Sequence, residues 1–251
     1  LGDVYKRQAP DVTAQYIFSD SYILYAQATG GRQANDFRRL EMVSPYGQSS
    51  TQLDATYEQL NAALGFKTSP VTGLWFNIYG GYQDLKNNLA SAAIANYSGS
   101  YLQLLQGNMH NIYAGAEASY SYKDIISFTA SGIYRDWKTA KTENNSGDQL
   151  LYYMPSFEAN FKVDIRPVSS VLINLGYQHI TREKIGNERV DPVGNLYLGG
   201  SYEVFEGISI YVRANNLLNK DYQYYPGYPT EGINFMGCLL YTSPSPRDTE
   251  R

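Results

Sequence analysis

The stretch from Leu151 to Ile165 limits most tightly what this chain can fold into. Leu151, Tyr153, Phe157, Ala159, Phe161, Val163 and Ile165 share one parity, and Tyr152, Ser156, Glu158, Asn160, Lys162 and Asp164 share the other. A repeat of two is that of a β-strand with one apolar and one polar face. Strands of globular proteins cluster near about 5–6 residues, whereas membrane-crossing strands need about 9–11. The alternation predicts a strand, and its length predicts one that crosses something thick.

The rest of the chain repeats this grammar. Val12–Phe18 and Tyr22–Thr29 flank the short Ser19-Asp20-Ser21. A long polar segment, about Gly30–Asp54, leads to a strand at about Ala55–Lys67, which Ser69-Pro70-Val71-Thr72-Gly73 turns into Leu74–Leu85. Asn87–Asn108, rich in Gly, Asn and Ser, reads as a second long loop. Lys123-Asp124 joins His110–Tyr122 to a strand carrying Ile126, Phe128, Ala130, Gly132 and Tyr134, and Thr139–Gln149 is a third, charged loop. Arg166-Pro167-Val168-Ser169 turns the next strand into Val171–Arg182. Glu183–Asp191 is a loop, Asn195–Val204 a strand, and Phe205-Glu206-Gly207 the last short turn. Short and long connections thus alternate strictly, as periplasmic turns and extracellular loops do in outer-membrane barrels. Trp75, Tyr122, Trp137, Tyr153 and Phe205 fall near strand ends, where interfacial aromatic girdles lie.

Composition agrees without deciding. The chain has 251 residues, among them 25 tyrosines and 22 glycines, with a formal net charge of −4. No run of about 18 apolar residues exists, so no transmembrane helix is predicted. That criterion is blind to barrels, in which only every second strand residue meets lipid. With a net negative charge and no basic stripe, nucleic acid is not an expected partner.

The stretch Gly207–Gly237 carries the one motif. Ile208, Ile210, Val212 and Ala214 oppose Ser209, Tyr211, Arg213 and Asn215. Asn216-Leu217-Leu218-Asn219-Lys220-Asp221-Tyr222 ends that strand, an aromatic loop follows with Tyr222, Tyr224, Tyr225 and Tyr228, and Ile233, Phe235 and Gly237 open another. This segment resembles the C-terminal end of TonB-dependent outer-membrane receptors, whose penultimate strand runs into an Asn-Leu-hydrophobic-Asn/Asp-Lys-x-Tyr segment before the last strand. The resemblance is one of motif over this stretch and of pattern over about Ala9–Gly237.

What the resemblance implies is an all-β fold: an antiparallel transmembrane β-barrel fragment, with about 10–11 strands of a 22-stranded barrel, the size of plugged transporters. It implies energised uptake of a nutrient such as a siderophore, cobalamin or glycan across the outer membrane of a Gram-negative bacterium. The implied partners are outer-membrane lipid, an N-terminal plug and upstream strands of the same chain, the TonB–ExbB–ExbD system and a small-molecule or glycan ligand. No cofactor is implied. A passive porin-type channel shares the strand grammar, and a secreted, tyrosine-rich carbohydrate-binding β-sandwich is a further alternative. Leu1–Gln8 and Cys238–Arg251 do not continue the alternation of their neighbours, and Cys238 interrupts the expected final strand. Both stretches resemble adapter-derived sequencing tails. On that reading residues 1–8 and 238–251 are non-native, and residues 9–237 are the C-terminal half of the barrel. The sole cysteine then lies outside the body, which has no disulfide framework or thiolate chemistry.

Candidate site residues follow from parity and loops. Phe157, Phe161, Ile173, Leu175, Leu198 and Ile210 belong to the apolar register and are expected to face lipid. Glu117, Arg135, Glu158, Lys162, Asp164, Glu203 and Arg213 fall on the polar face and are expected to line the lumen. Lys141, Glu143 and Asp148 read as solvated loop charges. The two histidines, His110 and His179, stand far apart with no metal-ligand spacing, and no nucleophile elbow or phosphate loop occurs. The chain does not read as an enzyme. Long-side loops are where recognition residues concentrate, which makes Tyr222, Tyr224, Tyr225 and Tyr228 the candidate ligand- or plug-facing cluster, with the outer girdle as the other reading.

Overall fold

The computed structural model describes residues 9–47, 53–96, 99–139, 150–184, 190–225 and 227–241, with the side chains of residues 93–100 left outside the description. The elements in chain order are β1 (Asp11–Ser19), β2 (Tyr22–Gln33), α1 (Phe37–Val43), β3 (Thr56–Val71), β4 (Leu74–Asn96), β5 (Gly99–Tyr122), β6 (Ile126–Thr139), β7 (Pro155–Val168) and β8 (Val171–Arg182). They continue with β9 (Val193–Phe205), β10 (Ile208–Asn215), β11 (Gln223–Tyr225), β12 (Tyr228–Pro229) and β13 (Asn234–Tyr241). β1 to β10 and then β13 form one 11-stranded sheet in which every strand pairs antiparallel with its sequence neighbour, while β11 and β12 pair with each other. The sheet fits as part of a larger barrel.

Register carries parity from strand to strand. Ala130 pairs with Ala118 and Phe161, and Val163 with Phe128 and Leu175. Leu198 pairs with Leu175 and Ala214. On this side Phe157, Phe161, Ile173, Leu175, Leu198 and Ile210 are all exposed. On the other side Asn77, Asn111, Asn174 and Asn195 are buried. Large apolar residues outside and asparagines inside invert the arrangement of a soluble domain. A secreted sandwich would bury its apolar faces between two stacked sheets; here one large sheet turns its apolar face outward.

The short turns are backbone-determined. Gly73, between β3 and β4, has φ +84, a region that side chains rarely adopt, and a Cβ there would overlap the Ser121 carbonyl. Its own carbonyl accepts from the Ser121 N–H at 2.8 Å.

Four expectations need correction. Asn87–Asn108 is a strand pair, not a loop: β4 and β5 stay paired to Asn96 and Gly99. Its polar composition misled because ladder bonds are made by backbone groups whatever the side chain. The register shifts between Leu85 and Asn88, where Asn87 adopts φ 51. The freed Asn87 carbonyl accepts from Thr56 Oγ1 at 2.8 Å and Gln106 Nε2 at 3.0 Å. Beyond that bulge Leu89, Ala90, Ala92, Leu102 and Leu104 are buried.

The second correction concerns the Gly30–Asp54 segment, in which β2 runs on to Gln33 and a helix forms. Asp36 Oδ1 caps α1 by accepting from the Arg39 N–H at 2.9 Å. The third is that β7 starts only at Pro155. Leu151 and Met154 pack instead, with Leu150, on the buried cluster of Leu85, Met109 and Trp137. Trp137 is therefore core, not girdle, and Trp75 pairs with Ser119 on the inner parity. An aromatic near a strand end meets lipid only when its parity points outward. Tyr122 and Phe205 are exposed.

The fourth is the last strand, which continues through Cys238 to Tyr241 and pairs Tyr211 with Cys238 and Ile208 with Tyr241. A cysteine donates and accepts ladder bonds like any other non-proline residue. Residues 1–8, 242–251, 140–149 (with Lys141, Glu143 and Asp148) and 185–189 lie outside the described residues.

The two faces should respond oppositely to charge. Phe161→Arg places a cation in the outward apolar band and should cost about 2–4 kcal/mol of membrane stability. Asn160→Arg on the inner face should cost far less. Denaturant unfolding of the protein in bilayers measures both; the reverse ranking would swap the faces.

Candidate functional site

The loop after β10 is built from its own asparagines. Asn216 sits at φ 52 and is almost fully buried. Asparagine tolerates this left-handed region better than most residues. Its backbone N–H donates to Asn195 Oδ1 of β9 at 2.9 Å. Its side-chain Nδ2 donates to the carbonyls of Lys220 at 2.9 Å and Glu231 at 3.0 Å, while Oδ1 accepts from the Lys220 N–H at 3.1 Å. One amide thereby ties the start of the loop to its end and both to the sheet. Asn219, at φ 48, repeats the device by accepting from the Ile233 N–H at 3.3 Å. The Asn216–Tyr222 motif is thus a folding unit for the segment that follows it.

That segment presents its tyrosines to two different places. Tyr222 is buried, and its carbonyl accepts from both the N–H and Oγ1 of Thr230 at 2.9 Å. Burial first, and then the neighbouring Tyr224, push the Tyr222 phenol up to about 12, so it stays neutral. Tyr224 meets it edge-to-face at 5.5 Å and donates to Gln178 Oε1 on the inner face of β8 at 2.8 Å. Tyr225 and Tyr228 turn instead to Tyr46, in the connection after α1. The Tyr46 and Tyr228 rings stack at 3.8 Å, and Tyr225 lies edge-on to Tyr46 at 5.8 Å. Tyr222 and Tyr224 are therefore supports, and Tyr225 and Tyr228 form an aromatic patch with Tyr46, which is about half exposed.

Arg182, at the end of β8, lies on the inner parity with Gln178 and Ile180 and is buried. Its Nη2 donates to the carbonyls of Gln223 at 2.7 Å and Tyr224 at 3.1 Å. Its guanidinium lies 5.2 Å from the centre of the Tyr153 ring, and the Tyr153 hydroxyl donates to Gln223 Oε1 at 3.4 Å. Gln223 Oε1 also accepts from the Gly227 N–H at 2.8 Å. Sequence reasoning missed Tyr46 and Arg182; parity counted along β8 would have placed Arg182 inward.

The expected lumen residues all share the inner parity, without converging on one point. Arg135 on β6 forms an ion pair with Glu158 on β7. Lys162 Nζ lies 2.8 Å from Asp164 Oδ2 on the same strand. Glu117 is opposite Asn77 and Ser131, and Glu203 opposite Ser209. The Arg213 guanidinium lies 3.9 Å from the centre of the Tyr197 ring and its Nε donates to Asn215 Oδ1 at 2.7 Å.

Inner tyrosines fill the space between these groups by lying over glycines of the adjacent strand, Tyr79 over Gly115 and Tyr197 over Gly176 among them. The Tyr25 hydroxyl donates to Asn77 Oδ1 at 3.1 Å and Tyr113 to Asn61 Oδ1 at 2.6 Å. The wall is therefore polar, tightly packed and laterally bonded. Among the described residues no group of three His, Cys, Asp or Glu could hold a metal. His110 and His179 each lie beside an aromatic ring, Tyr82 at 5.9 Å and Tyr177 at 6.3 Å.

An antiparallel sheet with an apolar exterior, a hydrogen-bonded polar interior and its elaborate loops at one end is the wall of a transmembrane β-barrel. Its fold is that of the barrels of TonB-dependent receptors. The ferric enterobactin receptor of Pseudomonas aeruginosa superimposes with a TM-score of 0.63 at 16% identity, covering 93% of this chain and 40% of that one. The iron transporter FrpB of Neisseria meningitidis gives 0.63 at 14% identity, covering 93% and 39%. The copper transporter OprC gives 0.62 at 16%, covering 91% and 38%. The chain thus spans about two fifths of the length of these structures. No protein-family model and no curated protein matches the sequence.

Asn216→Ala removes three side-chain hydrogen bonds and strands two loop carbonyls. It should cost about 2–4 kcal/mol and loosen residues 219–231 before the sheet. Protease nicking of that loop in the folded protein, alongside denaturant unfolding, reads both effects. Unchanged nicking would mean that Asn216 does not hold the loop.

Proposed function

We propose that this chain is the C-terminal part of the barrel of a TonB-dependent receptor, which takes up a scarce nutrient across the outer membrane of a Gram-negative bacterium. An N-terminal plug and upstream strands of the same receptor would complete the barrel, and the TonB–ExbB–ExbD system would energise transport. The inner residues Glu117, Arg135, Glu158, Lys162, Asp164, Glu203 and Arg213 would then face the plug. Residues 1–8 and 238–251 would be sequencing tails rather than receptor, residues 238–241 standing in for native residues at the end of the last strand, where they pair with β10.

The observation that carries the recognition part of this reading is the inward fold of the last loop. Tyr224 is bonded to the inner wall, while Tyr225 and Tyr228 stack against a tyrosine from another loop. Rings committed to an outer girdle would lie against the apolar face instead. Tyrosine offers flat apolar area with a polar tip, suited to chelate, sugar or aromatic surfaces. The solved neighbours are named for copper, iron and ferric enterobactin, which favours a metal or metal-chelate cargo here over cobalamin or a glycan.

Replacing Tyr46, Tyr225 and Tyr228 together with Ser should lower uptake by the full-length receptor by about tenfold or more, the loss of roughly one aromatic contact pair. Heat-modifiable barrel folding should be unchanged. Folding lost along with uptake would make these rings structural, and no change in either would remove them from recognition. Uptake that persists undiminished in cells lacking TonB would instead identify a passive channel.

A further inference from the structure

We infer that the outward face of β1–β4 seats one anionic phospholipid, with an acyl chain in an apolar groove and its phosphodiester against Arg32 and Lys86 above that groove. The inference rests on the outward face meeting lipid, and it adds one particular lipid to that face.

The groove is a gap in an otherwise bulky exterior. Two rows of paired residues cross the four strands there. One is Val12, Ala28, Ala62 and Tyr82, and the next is Ala14, Ala26, Leu64 and Gly80. Five of these eight positions are Ala or Gly, and Val12, Leu64 and Tyr82 stand exposed around them. The groove they leave has a volume of about 500 Å³. One row nearer the short turns the surface is bulky again, with Tyr16, Leu24, Phe66 and Ile78 in register. A dent in an apolar surface lacks contacts on its open side, and a flexible acyl chain takes its shape.

Small residues alone would not select an occupant; the charge above them does. Four residues further along β2 and β4, about 13 Å toward the loops, Arg32 pairs with Tyr57 and Tyr57 with Lys86. These three share the outward parity and border a pocket of about 330 Å³. Neither cation has an ion-pair partner among the described residues. Glu58, which also borders the pocket, accepts from Gln83 Nε2 on the inner face at 2.5 Å. On β6, by contrast, the outward Lys138 lies 2.9 Å from Asp136.

The carboxylate on β4 is Asp84, two positions below Lys86 and opposite Leu60 and His110. Arg32 and Lys86 set against Asp84 leave one unit of positive charge, which the single negative charge of a phosphodiester offsets. Guanidinium and ammonium groups bind phosphate oxygens through charge-assisted hydrogen bonds. Basic pockets at a membrane surface hold lipid headgroups by this chemistry. One two-cation pocket above one groove fits one phosphate and one chain of a glycerophospholipid, whose second chain lies among bulk lipid.

The test is native mass spectrometry of the protein in detergent micelles. Dipalmitoyl phosphatidylglycerol and uncharged dipalmitoylglycerol are offered at equal mole fraction. The phospholipid should be retained about tenfold more, the discrimination expected of charge-assisted hydrogen bonds. Arg32→Gln combined with Lys86→Gln should bring the two lipids to equal retention. Ala62→Trp fills the groove, leaves both cations in place, and should lower retention of both lipids. If that variant does not fold, the wild-type ratio and the double glutamine change decide. Equal retention of both lipids by the wild type, or retention of neither, would overturn the seat. So would a stable dimer that excludes both, or displacement of phosphatidylglycerol by lipopolysaccharide at equal mole fraction. The lipid-facing wall is judged separately by the ranking of Phe161→Arg and Asn160→Arg, so losing the seat leaves the wall standing.

Discussion

Lateral backbone hydrogen bonding is the constraint on which everything else in this molecule depends. Hydrocarbon offers no partners for N–H and C=O groups, so a chain that crosses it as strands must bond every strand to its neighbours. The unbroken order from β1 to β10 and on to β13 meets that demand in the simplest way, each strand bonding to the one before and after it. Once the ladder is fixed, period two follows, and with it two faces that cannot be chosen independently. The outer face is covered by Phe, Leu, Ile and Ala in register. The inner face is then free to be polar, and it is filled by tyrosines lying across glycines and by asparagines that accept from tyrosine hydroxyls.

The same economy governs the loops. Two asparagines at positive φ, Asn87 and Asn216, mark places where the ladder is interrupted and then secured again. At Asn87 the bulge lets β4 and β5 continue as a tall hairpin whose buried leucines and alanines need no lipid. At Asn216 the strand ends, and the side chain takes over the bonds that the ladder no longer makes. The tyrosine loop is therefore not a loose loop on a rigid wall. It is tied to the wall through Asn195, Gln178 and Arg182.

The fold was legible because parity survives almost any substitution that keeps polarity. Leu151–Ile165 carries it, and Phe157 and Phe161 there, like Ile173, Leu175, Leu198 and Ile210 read from the parity of their own strands, are exposed. What escaped was whatever depends on the backbone alone. The Asn87–Asn108 hairpin looks like a loop because its Asn, Gln, Ser and Gly side chains carry no strand signal, yet its peptide groups pair as well as any. Trp137 is hidden for another reason: nearness to a strand end does not say which way a ring points, and this one points into the core. The tyrosine loop is legible as a cluster, but its division into supports and an aromatic patch depends on partners at Tyr46, Tyr153 and Arg182, up to 182 residues away along the chain.

The two-faced wall can be tested most directly by spin labels placed one at a time at every position from Phe157 to Ile165 in the protein in bilayers. Collision rates with oxygen, which partitions into lipid, and with a polar nickel chelate, which does not, are then measured along the strand. Phe157, Ala159, Phe161, Val163 and Ile165 should be oxygen-accessible and nickel-protected, and the four intervening positions should show neither the oxygen peak nor its period. Equal accessibility at adjacent positions, or nickel access to the phenylalanine side, would contradict a membrane wall.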